Sequence, residues 1–161
     1  MSLKEQYKTL YRYHDFTTRK LLQRARNLDP PELNSPLDYG RGSIIEIFLH
    51  ILRASHSWRL GLETRARQAF PNPESYDHLD ALEAGFDGEK KGWALYLDSL
   101  TDAKISEDIE LIDSHRTLVT PRWRILQHVL FHGMQHHSEL AQILTVRGNS
   151  PGDLDFILFA D

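Results

Sequence analysis

Four of the nine histidines in this chain lie within one ten-residue stretch, beside leucines, isoleucines and valines. They are His128, His132, His136 and His137. Imidazoles in such a segment either lie on the wet face of a helix or converge on a metal ion. The four-residue spacing of His132 and His136 stacks two side chains on adjacent turns of one helix face. Such a pair can chelate one ion, with each nitrogen about 2.0–2.1 Å from zinc.

Hydrophobic periodicity predicts which of these histidines point inward. At 100° per residue, His136 lies inside the apolar sector and His132 lies beside it, one turn earlier. The pattern therefore excludes His136 from the solvent-exposed face of the helix and gives little support for placing His132 there. His128 lies towards the polar edge, and His137 lies on the other flank of the apolar face. A pair of core-edge histidines bonded to backbone or carboxylate groups, without a metal, remains an alternative.

A third ligand must come from another segment, because two protein ligands rarely make a useful metal site. The segment from residue 44 to 70 contains His50 at the edge of its apolar stripe and His56 on the opposite margin. Periodicity favours His50 without deciding between them, and His14 is a further candidate. Glu139 lies on the flank of the histidine pair. The zincin pattern, however, needs a glutamate directly after the first histidine.

Prolines, glycines and capping residues divide the chain into four helical segments. Ser43 and Glu46 form a capping-box pattern at the start of the second segment. Thr120 is the predicted cap of the fourth segment, with Pro121 at its first position, where the missing N–H is harmless. Gly148 ends that segment. The predicted helices cover about residues 3–28, 44–70, 77–100 and 121–147.

Two further segments complete the chain. Residues 102–119 predict either a short hairpin or an extended crossover, and the apolar tail after residue 149 is expected to dock on the helices. Four long helices without a convincing sheet predict an all-α bundle. A di-iron carboxylate bundle would need Glu-x-x-His on two helices, and the sequence contains no such motif.

Composition bounds the classes of protein to which the chain can belong. Its 161 residues are enough for a single domain, 1–161, with a real core. Net charge is −4, and scattered Lys and Arg give no indication of nucleic-acid binding. The absence of cysteine excludes disulfides, thiolate nucleophiles and Cys-ligated metals. Neither a signal peptide nor an apolar stretch of about 20 residues is present, so a soluble cytoplasmic protein without a membrane partner is expected.

Three stretches together resemble one known family. LHILRASHSW in the second helix, LQHVLFHGMQHHSELAQIL in the fourth and the closing SPGDLDFILF are similar, in that order, to segments of the DinB/YfiT-like four-helix-bundle metalloenzymes. The resemblance implies a four-helix bundle with a long crossover connection, which often forms a homodimer. It also implies a divalent ion, zinc or nickel, bound by His50, His132 and His136. Many relatives carry arginine after the last ligand. Here His137 takes that position, which leaves it as a group near the metal or the substrate.

The resemblance also implies a class of activity. Three imidazoles leave an open coordination position on the ion, as in catalytic sites. The leading hypothesis is a metal-dependent S-transferase that uses a low-molecular-weight thiol in stress response or detoxification. One alternative is a hydrolase that uses metal-bound water, with a general base among Glu139, His137, His128 and Tyr11. The other is a non-enzymatic, stress-induced metal-binding dimer that serves as a scaffold.

Overall fold

The computed structural model describes residues 1–38, 42–113 and 116–160. Strands β1 (Asp108–Asp113) and β2 (Arg116–Pro121) form an antiparallel hairpin, which confirms the hairpin alternative, although the residues between the strands lie outside the described part. Short 3-10 turns cover Pro73–Ser75 and Phe156–Leu158. The helices are α1 (Leu3–Ala25), α2 (Pro30–Asn34), α3 (Ile44–Thr64), α4 (Leu79–Asp98), α5 (Asp102–Ser106) and α6 (Arg122–Val146).

Helices α1, α3, α4 and α6 form the predicted four-helix bundle. Helix α1 packs against α6 and α4, and α3 packs against the same two helices, so α1 and α3 are diagonal. Contacts along the helices show that α3 runs antiparallel to α6 but parallel to its other neighbour, α4, where Leu52 lies against Gly85 and Arg59 against Gly92. Residues 65–78 must therefore return along the length of the bundle between α3 and α4, as the long crossover connection. None of the described helices is long and apolar enough to span a membrane.

The predicted start of α3 is confirmed, whereas its predicted end is wrong. The Ser43 N–H donates to Glu46 Oε2 at 2.7 Å, and the Glu46 N–H donates to Ser43 Oγ at 3.2 Å. The helix ends at Thr64 rather than near residue 70, because Arg65 adopts a left-handed conformation with φ 65°. The following backbone then pairs with Ile112 of β1. This pairing joins distant segments, so local periodicity could not reveal it.

The predicted cap of α6 is also wrong. Thr120 pairs with Ile109 in the hairpin, so its backbone is extended and belongs to β2, and Pro121 occupies the N-cap position. Near the other end of the sequence, α1 ends at Ala25 instead of residue 28. Pro30 and Pro31, which follow the first predicted helix, open α2, whose capping box joins Asp29 and Glu32.

The end of α6 before Gly148 and the docking of the tail on the helices are both as predicted from the sequence. Gly148 adopts φ 76°, and the Asn149 N–H donates to the Leu144 carbonyl at 2.8 Å, as in a Schellman motif. The tail docks on α1, where the Tyr13 hydroxyl donates to the Leu154 carbonyl and the Tyr13 ring packs edge-on against Phe156.

A polar layer separates two apolar clusters along the bundle. One cluster is centred on Leu21, Phe48 and Leu140, and the other on Trp93 and Leu126. Between them, each of the four long helices contributes polar side chains that are buried or half-buried. Because burying polar groups costs free energy unless they are bonded, this layer is where a functional site is expected. Its members include His14, Thr17, Thr18, Ser55, Glu89, His132, His136 and His137.

Candidate metal centre

Three histidines from two antiparallel helices converge in the seam between α3 and α6. They are His50 on α3 and His132 and His136 on α6, and one ring nitrogen from each lies within 4.8 Å of the other two. Their ring centroids form a nearly equilateral triangle with sides of 4.7–4.8 Å. A tetrahedral ion with bonds of about 2.0–2.1 Å needs nitrogens about 3.4 Å apart. The cluster therefore has the donor chemistry and the dimensions to hold a metal ion.

The secondary structure accounts for this convergence. His132 and His136 lie one turn apart on the face of α6 that packs against α3, as their spacing predicts. His50 lies on the facing side of α3, so the sequence could place it near the pair only once the helix packing was known. Both His50 and His132 are half-buried, whereas His136 is only 4% exposed. Solvent therefore reaches the cluster from the side of His50 and His132.

Hydrogen bonds link two of these rings to each other and the third to a carboxylate. The Nε2 atoms of His50 and His132 are 2.9 Å apart, so one imidazole donates and the other accepts. On His136, Nδ1 donates to Glu139 Oε2 at 2.9 Å. The Nε2 lone pair of His136 is then available to a ligand. A carboxylate that orients a histidine in this way is a common companion of metal-binding histidines.

The other sequence candidates lie elsewhere in the structure. His56 points away from the cluster and donates from Nδ1 to Glu89 Oε1 at 2.8 Å. His128 is exposed and packs edge-on against Trp58, with ring centroids 5.0 Å apart. Tyr11 is buried, and its hydroxyl donates to the Leu126 carbonyl at 3.2 Å, which is a packing role.

Of the two roles expected for His137, near the metal or near the substrate, its burial opposes the second. It is 3% exposed and lies against α1, where its Nε2 is 2.9 Å from Thr18 Oγ1. The Thr18 hydroxyl donates to the His14 carbonyl at 3.0 Å, so it must accept from His137 Nε2–H. Burial lowers the pKa of His137, and the neighbouring imidazoles of His14 and His136 lower it further. His137 is therefore a neutral core group bonded to α1.

His14 packs against His137, with ring centroids 4.7 Å apart, and lies directly over Gly133. A Cβ at position 133 would lie 2.0 Å from the imidazole Cε1, so only glycine permits this approach. Burial lowers the pKa of His14 to about 4, although the carboxylate of Asp15 opposes the shift. His14 is therefore neutral near pH 7, like His137.

A buried ion-pair network between α3 and α4 was not predicted from the sequence. Glu89 is 7% exposed and accepts from Arg59 Nε at 2.9 Å and Arg59 Nη2 at 2.8 Å, in addition to His56. The one sequence signal was a glutamate on the apolar face of α4, between Phe86 and Trp93. Gly92 leaves room for Arg59, because a Cβ there would lie 2.6 Å from its Nε.

Comparison with known proteins supplies the family. A search among curated proteins finds no match. The model of the family described as DinB matches residues 1–161, which is the whole chain. The matched segment includes both helices that carry the histidine cluster. The chain belongs to the DinB family.

Proposed function

We propose that His50, His132 and His136 bind one divalent metal ion, zinc or nickel, and that the chain is a metal-dependent enzyme acting on small molecules. The proposed activity is transfer of a low-molecular-weight thiol to an electrophile, in stress response or detoxification in the cytoplasm. Membership of the DinB family and the three-histidine cluster together fit a metal-binding protein.

The observation that carries the proposal is the approach of three imidazole nitrogens to within 4.8 Å of one another across two helices. Glu139 adds support, because its bond to Nδ1 of His136 directs the other nitrogen of that ring towards a ligand. A purely structural pair of histidines would not need a third imidazole from α3. The packing of α3 against α6 thus favours metal binding over the alternative of bonded core-edge histidines.

A bound divalent ion would supply Lewis acid chemistry, which lowers the pKa of a thiol or of water. The surrounding residues hold the three imidazoles in place: Glu139 orients His136, and apolar side chains lie on both sides of the polar layer. Substrates would approach between α3 and α6, where His50 and His132 are accessible. Trp58 and His128 line the same seam towards the start of α6 and would limit the size of the substrate.

The number of ligands in the cluster distinguishes the proposed enzyme from the alternative of a non-enzymatic scaffold. A closed structural site has four protein ligands, whereas a catalytic site keeps an open position. Among residues 1–38, 42–113 and 116–160, the grouping that could hold an ion has three members. Glu139 is engaged with His136 Nδ1, which favours its role as an orienting group over that of a fourth ligand.

Metal analysis of the purified chain tests the site. We expect about one divalent ion per chain in the parent protein and a sharp loss in His136→Ala. The matched control is His78→Ala, because His78 is an exposed histidine that bonds Asp77 and lies outside the cluster. Equal metal content in the parent and His136→Ala would refute the ligand assignment.

Activity is tested on the metal-loaded chain with an aryl halide electrophile and glutathione or another small thiol. We expect conjugate formation that is abolished by a chelator and by His132→Ala. Metal-dependent hydrolysis of an ester or amide substrate in the absence of any thiol would instead support the hydrolase alternative. Bound metal without activity on either substrate class would support the scaffold.

We also propose a homodimer, as the resemblance implies. Several large apolar side chains on the outer surface of α6 and the tail are exposed, among them Phe131, Met134 and Ile157. Contiguous exposed apolar surface is typical of interaction sites. Light scattering on the purified chain should give twice the monomer mass. A Phe131→Glu variant should shift the mass towards 18.7 kDa.

A further inference from the structure

A cavity of about 230 Å³ opens in the seam between α1 and α4, on the opposite side of the bundle from the histidine cluster, and reaches the polar layer. Its walls include the aromatic rings of Tyr11, Phe86 and Trp93, and its lining also includes His14 and Ser55. Because α1 and α4 are neighbours while His50 and His132 lie between α3 and α6, this cavity is separate from the proposed metal site.

The imidazole of His14 is the unusual group in this lining. Within the described part of the chain, no hydrogen bond joins its ring nitrogens to another residue, although the backbone carbonyl of His14 accepts from Thr18. The side chain is half-buried, and its ring nitrogens are not among the fully buried polar atoms that lack a partner, so they reach solvent that a ligand in the cavity could replace. As a neutral ring, His14 offers one acceptor nitrogen and one N–H donor.

Ser55 offers a complementary group. Its Oγ accepts from Trp93 Nε1 at 2.8 Å, and the residue is 6% exposed. A hydroxyl that accepts one bond still carries a proton of its own to donate. The lining therefore combines a neutral imidazole and a hydroxyl with aromatic walls, which is the composition of a small-molecule site.

Four charged residues of the cavity lining form ion pairs, and a fifth, Arg12, donates to Thr9 Oγ1 at 3.0 Å. At the cavity, Lys90 lies 2.7 Å from Asp15, and Lys8 lies 3.0 Å from Asp98. Glu89 is held by Arg59. Because the ion-paired charges are balanced by neighbours, they do not favour an ionic ligand, and the neutral groups are the polar atoms on which we base the choice of ligand.

We propose that this cavity binds a small phenol, with the aromatic ring between Tyr11, Phe86 and Trp93. The phenol hydroxyl donates to the acceptor nitrogen of His14 and accepts from the hydroxyl of Ser55. Size agrees with this class, because an apolar protein cavity of about 150 Å³ is enough for benzene. The inference is independent of the metal and of the proposed thiol chemistry.

The test is a fluorine NMR titration of the full chain with two probes of similar shape, 4-fluorophenol and fluorobenzene. Both titrations are run with zinc and with a chelator, so that binding at the histidine cluster is separated from binding in the cavity. We expect 4-fluorophenol to bind about tenfold more tightly than fluorobenzene in both conditions, the effect of one or two net hydrogen bonds.

The variant is His14→Leu, which replaces the imidazole with an apolar group, and the matched control is His78→Leu at an exposed position. His14→Leu should remove the preference for the phenol, whereas His78→Leu should keep it. Equal affinity for the two probes in the parent, binding only when zinc is present, or an unchanged preference in His14→Leu would each overturn the proposal.

Circular dichroism first establishes that His14→Leu is folded. If that variant does not fold, Overhauser contacts between 4-fluorophenol and the parent protein decide the question. Contacts to the ring protons of Trp93 and Phe86 support the proposal, and their absence overturns it.

Discussion

Glu139 Oε2 accepts a hydrogen bond of 2.9 Å from Nδ1 of His136, three residues earlier on α6. This bond assigns the proton of the neutral imidazole to Nδ1 and leaves Nε2 as the atom that can bind a metal. The sequence suggested Glu139 as a general base, whereas the structure gives it a bond that orients His136. Its contribution can be measured through metal affinity.

Replacing Glu139 with alanine should weaken zinc binding by about 10- to 100-fold, the usual effect of removing a partner that orients a ligand. Glu139→Gln should lose less, because an amide oxygen can still accept from His136. Competition with a chromophoric chelator measures both affinities. Ser138→Ala is the control, since Ser138 is exposed on the same turn and its hydroxyl donates to the Met134 carbonyl of the same helix. An unchanged affinity in Glu139→Ala would contradict the orienting role.

Zinc should stabilise the fold through all three histidines. At a free concentration about 100 times its dissociation constant, a ligand of the native state adds about 2.7 kcal/mol to the free energy of unfolding. The melting temperature of the parent should rise with zinc and return with a chelator, whereas that of His50→Ala should not respond. A full zinc response in His50→Ala would show that α3 contributes no ligand.

Acid should destabilise the metal-free protein through His14. Its pKa is about 4 in the fold and 6.5 as the ordinary value, so the unfolded chain binds more protons between these two pH values. The stabilisation is therefore complete above pH 6.5 and is lost as the pH falls towards 4, by up to about 3 kcal/mol. The buried His137, whose pKa is also lowered, acts in the same direction.

Urea unfolding between pH 4 and 7 measures this dependence. His14→Leu should flatten the slope of the unfolding free energy against pH, and His78→Leu, at an exposed position, should leave it unchanged. Parallel slopes in the parent and His14→Leu would show that His14 is not neutral and buried in solution.

Gly133→Ala should destabilise the protein because the new methyl group would lie 2.0 Å from Cε1 of His14. Overpacking of this kind typically costs about 1–3 kcal/mol. Gly88→Ala is the matched control on α4, where the added carbon meets nothing within 4 Å. It should stabilise the helix by up to about 1 kcal/mol. Thermal denaturation of both variants checks the opposite signs, and destabilisation of equal size would contradict the packing argument.

Glu89→Ala should be destabilising, since it leaves the half-buried guanidinium of Arg59 with Glu63 as its carboxylate partner in place of two carboxylates. Removing one partner of a buried ion pair costs about 3–5 kcal/mol, and the ion pair that Arg59 keeps with Glu63 places the expected loss at or below the lower end of that range. Asp80→Ala removes an exposed partner of Arg26 and should change the free energy of unfolding by less than about 1 kcal/mol. Chemical denaturation compares the two. Similar small losses would mean that water replaces the carboxylate.

Local sequence features were enough to predict the four long helices and two of the three histidines of the candidate metal site. Apolar periodicity, the Ser43–Glu46 capping box and Gly148 each act within a few residues, and the structure contains these features where they were expected. The spacing of His132 and His136 likewise determines that both imidazoles lie on one face, because the rotation per residue is a property of the helix itself.

Pairing between distant segments determined the backbone conformation at two places where local sequence signals predicted it wrongly. Thr120 carries the side chain of a helix cap, but its pairing with Ile109 keeps the backbone extended. The end of α3 depends in the same way on a bridge between Ala66 and Ile112. Propensities near a residue cannot predict such contacts, because their partners lie far away in the sequence.

The tertiary structure also determined which neighbouring helix each histidine faces. Helix α6 packs against both α1 and α3, so two consecutive residues can be buried against different neighbours. His136 joins His50 of α3, whereas His137, rotated by about 100°, bonds Thr18 of α1. Sequence alone determined that several imidazoles are inward, and the packing of the helices determined which of them meet.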